Sequence, residues 1–413
     1  MRLVSVWARM LKLERTTVVE DVTFDAPVNA IVVHVHPNRR AKHRCGICGR
    51  QAPLYDRGEG RRRWRALDLG PLQAYLEAEA PRVKCPEHGV IVAQVPWARH
   101  RSGFTYSFED MVSWLAAHCS KSAVQALMRI AWRSVGHIVT RVVADAQREQ
   151  DRFADLTRIG IDEISYKRGQ NYLTVVVDHD TGRLIWAAPG RSEATLKQFF
   201  DELGKERSAK ITMVTADAAD WIRNVVRERC KKAEICLDPF HIVSWATDAL
   251  DEVRRAVWND ARFMGQKALA KEVKAARFAL WKNPEDLTER QKVRLAVIAK
   301  TNAPLYRAYL MKEQLRQVFR LPPDQAVALL DSWLAWAQRS RIKPFQELAR
   351  KIRSHRQGIE NSLRHDLSNA IVESVNTKIR LITRVAFGFH SPLALIALAM
   401  LGLGGCCPAL PHA

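Results

Sequence analysis

Three carboxylates stand out because little acid surrounds them. Asp162 interrupts the apolar run RIGIDEISY, and Asp217 closes KITMVTAD. Glu373 is the one acid in SNAIVESVNTKIRLITRVAFGF, among Asn369, Asn376, Lys378, Arg380 and Arg384. Carboxylates gathered at one point offer hard oxygen ligands, which suit Mg2+ or Mn2+. Two such cations about 3.5–4 Å apart activate a water or a 3′-hydroxyl and stabilise the leaving oxygen in attack on a phosphodiester. Taken singly, each acid also fits a plainer role: Asp162 as a strand-end cap, Asp217 as a helix N-cap, Glu373 as a solvated residue. The elements that carry them must decide.

A second constellation is Cys45-x2-Cys48 in HRCGICGR and, after 36 residues, Cys85-x2-His88 in VKCPEHGV. Two ligand pairs on tight Gly- or Pro-containing knuckles suit a closed tetrahedral Zn2+ site, structural because no position is left for water. The strand-like LDLGPLQAYLEAEAPRVK between the pairs suits a zinc ribbon rather than a finger.

The chain has 413 residues, with 65 Lys and Arg against 44 Asp and Glu, a net charge of +21. That balance favours a polyanionic partner, nucleic acid first. Membrane binding is disfavoured, because the best apolar run, SPLALIALAMLGLGG, is short and broken by glycine. The N-terminus carries neither a continuous apolar core nor a small-residue cleavage site, so a cytoplasmic protein is expected. Eight cysteines, unevenly placed, do not read as a disulfide scaffold. The densest basic stretch runs from Arg39 to Arg65, and Arg61, Arg62 and Arg63 within it are candidate DNA contacts.

Periodicity places these residues. RTTVVEDVTFDAPVNAIVVHVHP alternates as two or three strands over residues 1–40. SFEDMVSWLAAHCS, opening on a Ser107 or Thr105 cap, and KSAVQALMRIAWRSVGHIVTRVVADAQ read as helices, with Val124, Leu127 and Met128 packing ahead of a turn. A helix-turn-helix whose second helix starts near Ser134 would present Arg133, Ser134, His137 and Arg141 to DNA; a plain helical linker has the same pattern. From 158 to 245, three strands are followed by helix, strand, helix, strand and helix, the order of an RNase H-like sheet. Its first and fourth strands are neighbours, so Asp162 and Asp217 would meet at the sheet's end, with a third acid from a later helix. Residues 249–365 read as an all-helical insertion of five or six helices. The expected protein is a multidomain α+β chain: strands and zinc ribbon (1–100), helix-turn-helix (101–150), catalytic sheet (155–248), insertion (249–365) and returning catalytic helices (366–413).

GIDEIS, VTADAADWI, LDPFHIV and SNAIVESVNTKIRLITRVAFGF, behind a Cys-Cys-Cys-His ribbon and a helix-turn-helix, resemble the DDE transposases of bacterial insertion sequences of the ISL-three type. The resemblance covers essentially the whole chain. It implies that Asp162, Asp217 and Glu373 are a metal-binding triad holding two Mg2+ or Mn2+ ions. It also implies that the ribbon and the helix-turn-helix bind terminal inverted repeats, and that the chain joins the freed ends to target DNA. Asp238 and His241 of LDPFHIV would then be auxiliary to the active site, although a helix-capping Asp with a packed His reads equally well. Asn376, Arg380 and Arg384 would form a phosphate-facing surface. Cutting two ends together calls for a homodimer. Two departures are Ser374, where family members often have Gly, and ITRVAF, where they often carry a Lys-Arg pair. The competing readings are a catalytically dead DNA-binding regulator, which would be expected to have lost an acid, and an RNase H-like nuclease without strand transfer.

Overall fold

A computed structural model describes residues 3–410. The chain forms two compact units, one made of the residues up to Arg152 together with those from Ile382 onward, the other of Phe153–Leu381.

The first unit opens with helix α1 (Leu3–Met10), which the alternating pattern of residues 1–40 did not foreshadow. Trp7, Ala8 and Leu11 pack on the sheet that follows. Its strands are β1 (Thr17–Asp25), β2 (Ala30–Pro37), β4 (Arg61–Leu69) and β5 (Leu72–Glu79), in the order β1-β2-β5-β4; β3 (Leu54–Asp56), β6 (Arg82–Cys85) and β7 (Gly89–Val92) form a separate small sheet. Gly70, at φ +60°, turns β4 into β5, a conformation that suits a residue without Cβ. Helices α2 (Tyr106–His118), α3 (Lys121–Met128) and α4 (Trp132–Glu149) follow. Thr105 caps α2 by accepting from the Phe108 N–H, and Ser120 caps α3 by accepting from Ala123. Val124 packs as expected, whereas Leu127 is 63% exposed. The chain's last helix, Pro392–Leu403, packs on α2 and α4.

The second unit holds β8 (Arg158–Lys167), β9 (Asn171–Asp178), β10 (Leu184–Pro189), α5 (Glu193–Leu203), α6 (Lys205–Ser208), β11 (Met213–Ala216), α7 (Asp220–Arg229) and β12 (Glu234–Leu237). The sheet order is β10-β9-β8-β11-β12, with β8, β9 and β10 antiparallel and β11 and β12 parallel to β8. This is the RNase H-like order. Side chains alternate across a strand. Ile159, Ile161, Val214 and Ala216 join Phe199, Phe200, Ile222 and Val226 of α5 and α7 in one core. Gly160, Asp162, Thr215 and Asp217 therefore share the opposite face.

Helices α8 (Pro239–Phe263), α9 (Lys267–Ala275), α10 (Arg277–Trp281), α11 (Glu289–Thr301), α12 (Ala303–Val318), α13 (Pro323–Arg339), α14 (Lys343–Ser354) and α15 (Arg356–His365) build the helical region. Its core centres on fully buried Trp333, whose Nε1 donates to the Met311 carbonyl at 2.7 Å. Buried Lys312 donates to the carbonyls of Leu280 and Lys282, satisfying the end of α10. α15 returns to the sheet: Asn361 donates to the Ile235 carbonyl at 3.1 Å and Ser362 to that of Leu237 at 2.5 Å. Helix α16 (Ala370–Val385) covers the Gly160 face, and α17 is the Pro392–Leu403 helix already described. No described helix is long and apolar enough to cross a membrane.

Candidate active site and DNA-binding elements

The close approach of α16 to the sheet depends on the lack of a side chain at Gly160, where a Cβ would lie 2.2 Å from Val372 Cγ2. Around that contact runs a buried polar network. His179 Nε2 lies 2.6 Å from Thr215 Oγ1, Thr215 donates to Asn369 Oδ1, and the Asn369 N–H donates to Asp238 Oδ1. This network fixes the first turn of α16, which carries Glu373, against the strand ends.

Asp162 lies within β8 and Asp217 one residue past β11, each one position beyond the paired Ile161 and Ala216. The two acids thus stand side by side on adjacent parallel strands. Asp162 accepts from the Glu163 N–H at 2.7 Å and from Asn376 Nδ2 at 2.6 Å. Burial, reinforced by the Asp217 charge, pushes the Asp162 carboxyl up to about 7. Asp238 caps α8 through the Phe240 N–H and is 4% exposed. Its Oδ2 has no hydrogen-bond partner among the described residues, and burial raises its pKa. His241 Nε2 lies 2.8 Å from Asp217 Oδ1 and 3.8 Å from Asp238 Oδ2. Its ion pair with Asp217 raises the imidazole pKa.

The two readings of LDPFHIV are therefore compatible: Asp238 caps the helix and also lines the acid site. Ligand atoms of Asp217, Asp238 and His241 all lie within 4.8 Å of one another. Glu373 stays exposed at the rim, with its charge close enough to raise the Asp238 pKa. The set of Asp217, Asp238 and His241 is two carboxylates and an imidazole, and the orphaned buried oxygen at Asp238 fits a divalent cation.

Several expected DNA contacts lie elsewhere. Asn376 is 1% exposed and bonded to Asp162, so it faces inward and not toward phosphate. Helical spacing puts it beside Glu373, but the sheet beneath α16 buries it. Arg380 and Arg384 are exposed. On α4, Arg133 and His137 are exposed and Ser134 half-buried, whereas Arg141 donates to fully buried Glu109 of α2 at 2.9 Å. Arg141 is thus a strut between helices. Arg61 and Arg63 are tied to Glu77, and Arg63 also to Asp25, while Arg62 donates to the Ser102 carbonyl at 2.9 Å and lies over the Trp64 ring. Cross-strand acids on β5 and β1 neutralise two of these three arginines, a pairing no local pattern reveals. Sequence reasoning also missed a cavity of about 690 Å3 within the first unit, lined among others by Arg62, His100, Arg101 and Arg148.

The four expected zinc ligands converge. Cys45 Sγ lies 3.7 Å from His88 Nδ1, Cys48 Sγ 3.8 Å from Cys85 Sγ, and Cys85 Sγ 3.6 Å from His88 Nδ1. Those spacings match the edges of a tetrahedron with bond lengths of about 2.0–2.3 Å. The hydrogen bond with His88 lowers the Cys85 thiol pKa, favouring the thiolate a metal needs.

A zinc knuckle and a helix-turn-helix, together with an RNase H-like sheet bearing acids on neighbouring strands, define a DNA-binding protein of the DDE recombinase class. Residues 159–399 match the ISL3 family of DDE domains, described as transposase. Residues 41–88 match the zinc-finger of transposases IS204, IS1001, IS1096 and IS1165, and residues 93–143 the helix-turn-helix domain of transposase family ISL3. The chain is 56% identical, over all of its length and 98% of the relative's, to the transposase for insertion sequence element IS1557 from two Mycobacterium tuberculosis strains. It is 27% identical to the transposase for IS1001 of Bordetella parapertussis, over 80% of this chain and 81% of that one. The chain belongs to the ISL3 family of transposases.

Proposed function

We propose that this transposase binds the terminal inverted repeats of its element through the zinc ribbon and the exposed face of α4, cleaves phosphodiesters at those ends, and joins the 3′ ends to target DNA as a homodimer. The observation that carries the catalytic part is the side-by-side placement of Asp162 and Asp217 on β8 and β11. Asp162, Asp217 and Glu373 would hold two Mg2+ or Mn2+ ions, with Asp238 adding a buried carboxylate oxygen. Bound divalent cations supply Lewis-acid activation of the attacking oxygen and charge neutralisation at the leaving oxygen. The protein's share is to fix those carboxylates against one another. His241, held by Asp217, adds a donor beside the acids that can reach a phosphate oxygen, and Arg380 with Lys378 offers charge to the adjoining backbone.

The test is incubation with DNA carrying the element's ends and Mg2+, with nicks mapped on both strands. Asp162→Asn, Asp217→Asn and Glu373→Gln are expected to bind ends and neither cut nor join. A Glu373→Gln protein that joins ends would overturn the triad. The dead-regulator reading is not favoured, since all three acids are present.

A further inference from the structure

Asn376 follows Glu373 by three residues on α16 and is buried. Its Nδ2 donates to Asp162 Oδ2 at 2.6 Å, across 214 positions of chain. Its own Oδ1 is buried and accepts no hydrogen bond from the described residues, so the amide is oriented by what it gives to Asp162. In a helix that also offers Lys378, Arg380 and Arg384, the group aimed at the carboxylate is a neutral amide. That choice has a chemical consequence. An arginine there would neutralise Asp162 and compete with a cation, whereas an amide fixes the carboxylate and leaves its charge available.

An ionised carboxylate has about four lone-pair sites. The Glu163 N–H takes one on Oδ1 and Asn376 takes one on Oδ2, leaving one on each oxygen. We propose that Asn376 is a positioning residue for the transposition reaction. It sets the rotation of the Asp162 carboxylate and links the seating of α16, with Glu373 on it, to the geometry of the metal ligands. The proposal rests on the reading of Asp162 as a metal ligand.

The test is cleavage of pre-bound end DNA by the full-length protein as a function of Mg2+ and of Mn2+. Asn376→Leu removes the donor at similar size, and Asn376→Ser removes its reach without adding bulk. Replacing groups that orient metal ligands typically costs about 10–100-fold in affinity or activity. A loss of that size is expected in Mg2+, with the half-saturating concentration moved up and end binding unchanged. Mn2+ should restore part of the rate, because Mg2+ is the stricter of the two about octahedral geometry. A structural role alone would lower the rate equally in both metals without moving half-saturation; that result, or wild-type behaviour, overturns the proposal. Failure of both variants to fold would assign Asn376 to structure and overturn it too. Asp162→Asn separates the two readings. If Asp162→Asn cleaves, the triad itself is wrong; if it is inactive while both Asn376 variants keep the wild-type metal dependence, positioning alone is wrong.

Discussion

Replacing Asp162 by Asn should abolish catalysis and stabilise the protein in the absence of Mg2+. In the folded chain the Asp162 carboxyl titrates near 7, against 3.8 for the free side chain, first because it is buried and second because Asp217 lies beside it. The folded state therefore binds the extra proton between those two values, and stability falls as pH rises through that window. The penalty begins above the unfolded pKa and is complete above about pH 7. At about 1.36 kcal/mol per unit the full shift is worth about 4 kcal/mol, of which about 2–3 kcal/mol develops between pH 5 and pH 8. Asparagine carries no charge to desolvate. It forfeits one of the two hydrogen bonds that Asp162 accepts, at a cost of about 1 kcal/mol that does not vary with pH. The gap between variant and wild type should thus widen by about 2–3 kcal/mol from pH 5 to pH 8 in the variant's favour. Urea unfolding of zinc-loaded protein at a series of pH values, without Mg2+ and without chelator, measures it. Parallel pH profiles for the two proteins would refute the reasoning, as would a variant less stable than wild type at pH 8. Added Mg2+ should narrow the gap at pH 8 by raising the wild-type curve alone, since a ligand stabilises only the state that binds it.

Gly160→Ala should lift α16 from the sheet, because its Cβ would lie 2.2 Å from Val372 Cγ2; a loss of about 1–3 kcal/mol by urea unfolding and strongly reduced cleavage are expected. On α4, Arg133→Ala should weaken end binding and flatten its salt dependence by about one phosphate contact, with stability unchanged. Arg141→Ala should instead cost about 1–3 kcal/mol, since Glu109 is fully buried and would keep only Arg99 and Ser102 as partners. Metal analysis should find one zinc per chain, lost in Cys45→Ser and retained in His88→Cys; a wild-type chain without zinc would refute the ribbon assignment.

Wherever the signal was periodic and local, the sequence was sufficient. Alternation in RIGIDEISY and the strand-helix order after it fix the sheet, and with it the pairing of Asp162 and Asp217. The zinc ligands were legible because each knuckle is a short spacing with its own chemistry. The failures share a cause. Asn376 and Arg141 read as a solvent-facing amide and cation, and each is claimed by a residue far away in the chain, Asp162 and Glu109; Arg61 and Arg63 stay exposed but pair with Glu77 and Asp25. Helix α1 was missed because eight residues carry little periodic signal, and its apolar side is defined by the sheet it covers. The packing partners of the Pro392–Leu403 helix, α2 and α4, were not legible for the opposite reason. Apolar almost all round, it gives no face from which its partner could be read.

The two bonds from α15 to β12 matter beyond holding the helix in place. β12 is the last strand of its sheet, and a bare last strand invites another chain to pair with it. Asn361 and Ser362 occupy the Ile235 and Leu237 carbonyls, and Gly358 lets the helix backbone lie close, since a Cβ there would come within 2.8 Å of Leu237 Cγ. The proposed homodimer would bring copies of this chain together on DNA ends at high local concentration. With that border closed by side chains, the sheet offers a neighbouring copy no free carbonyl at Ile235 or Leu237.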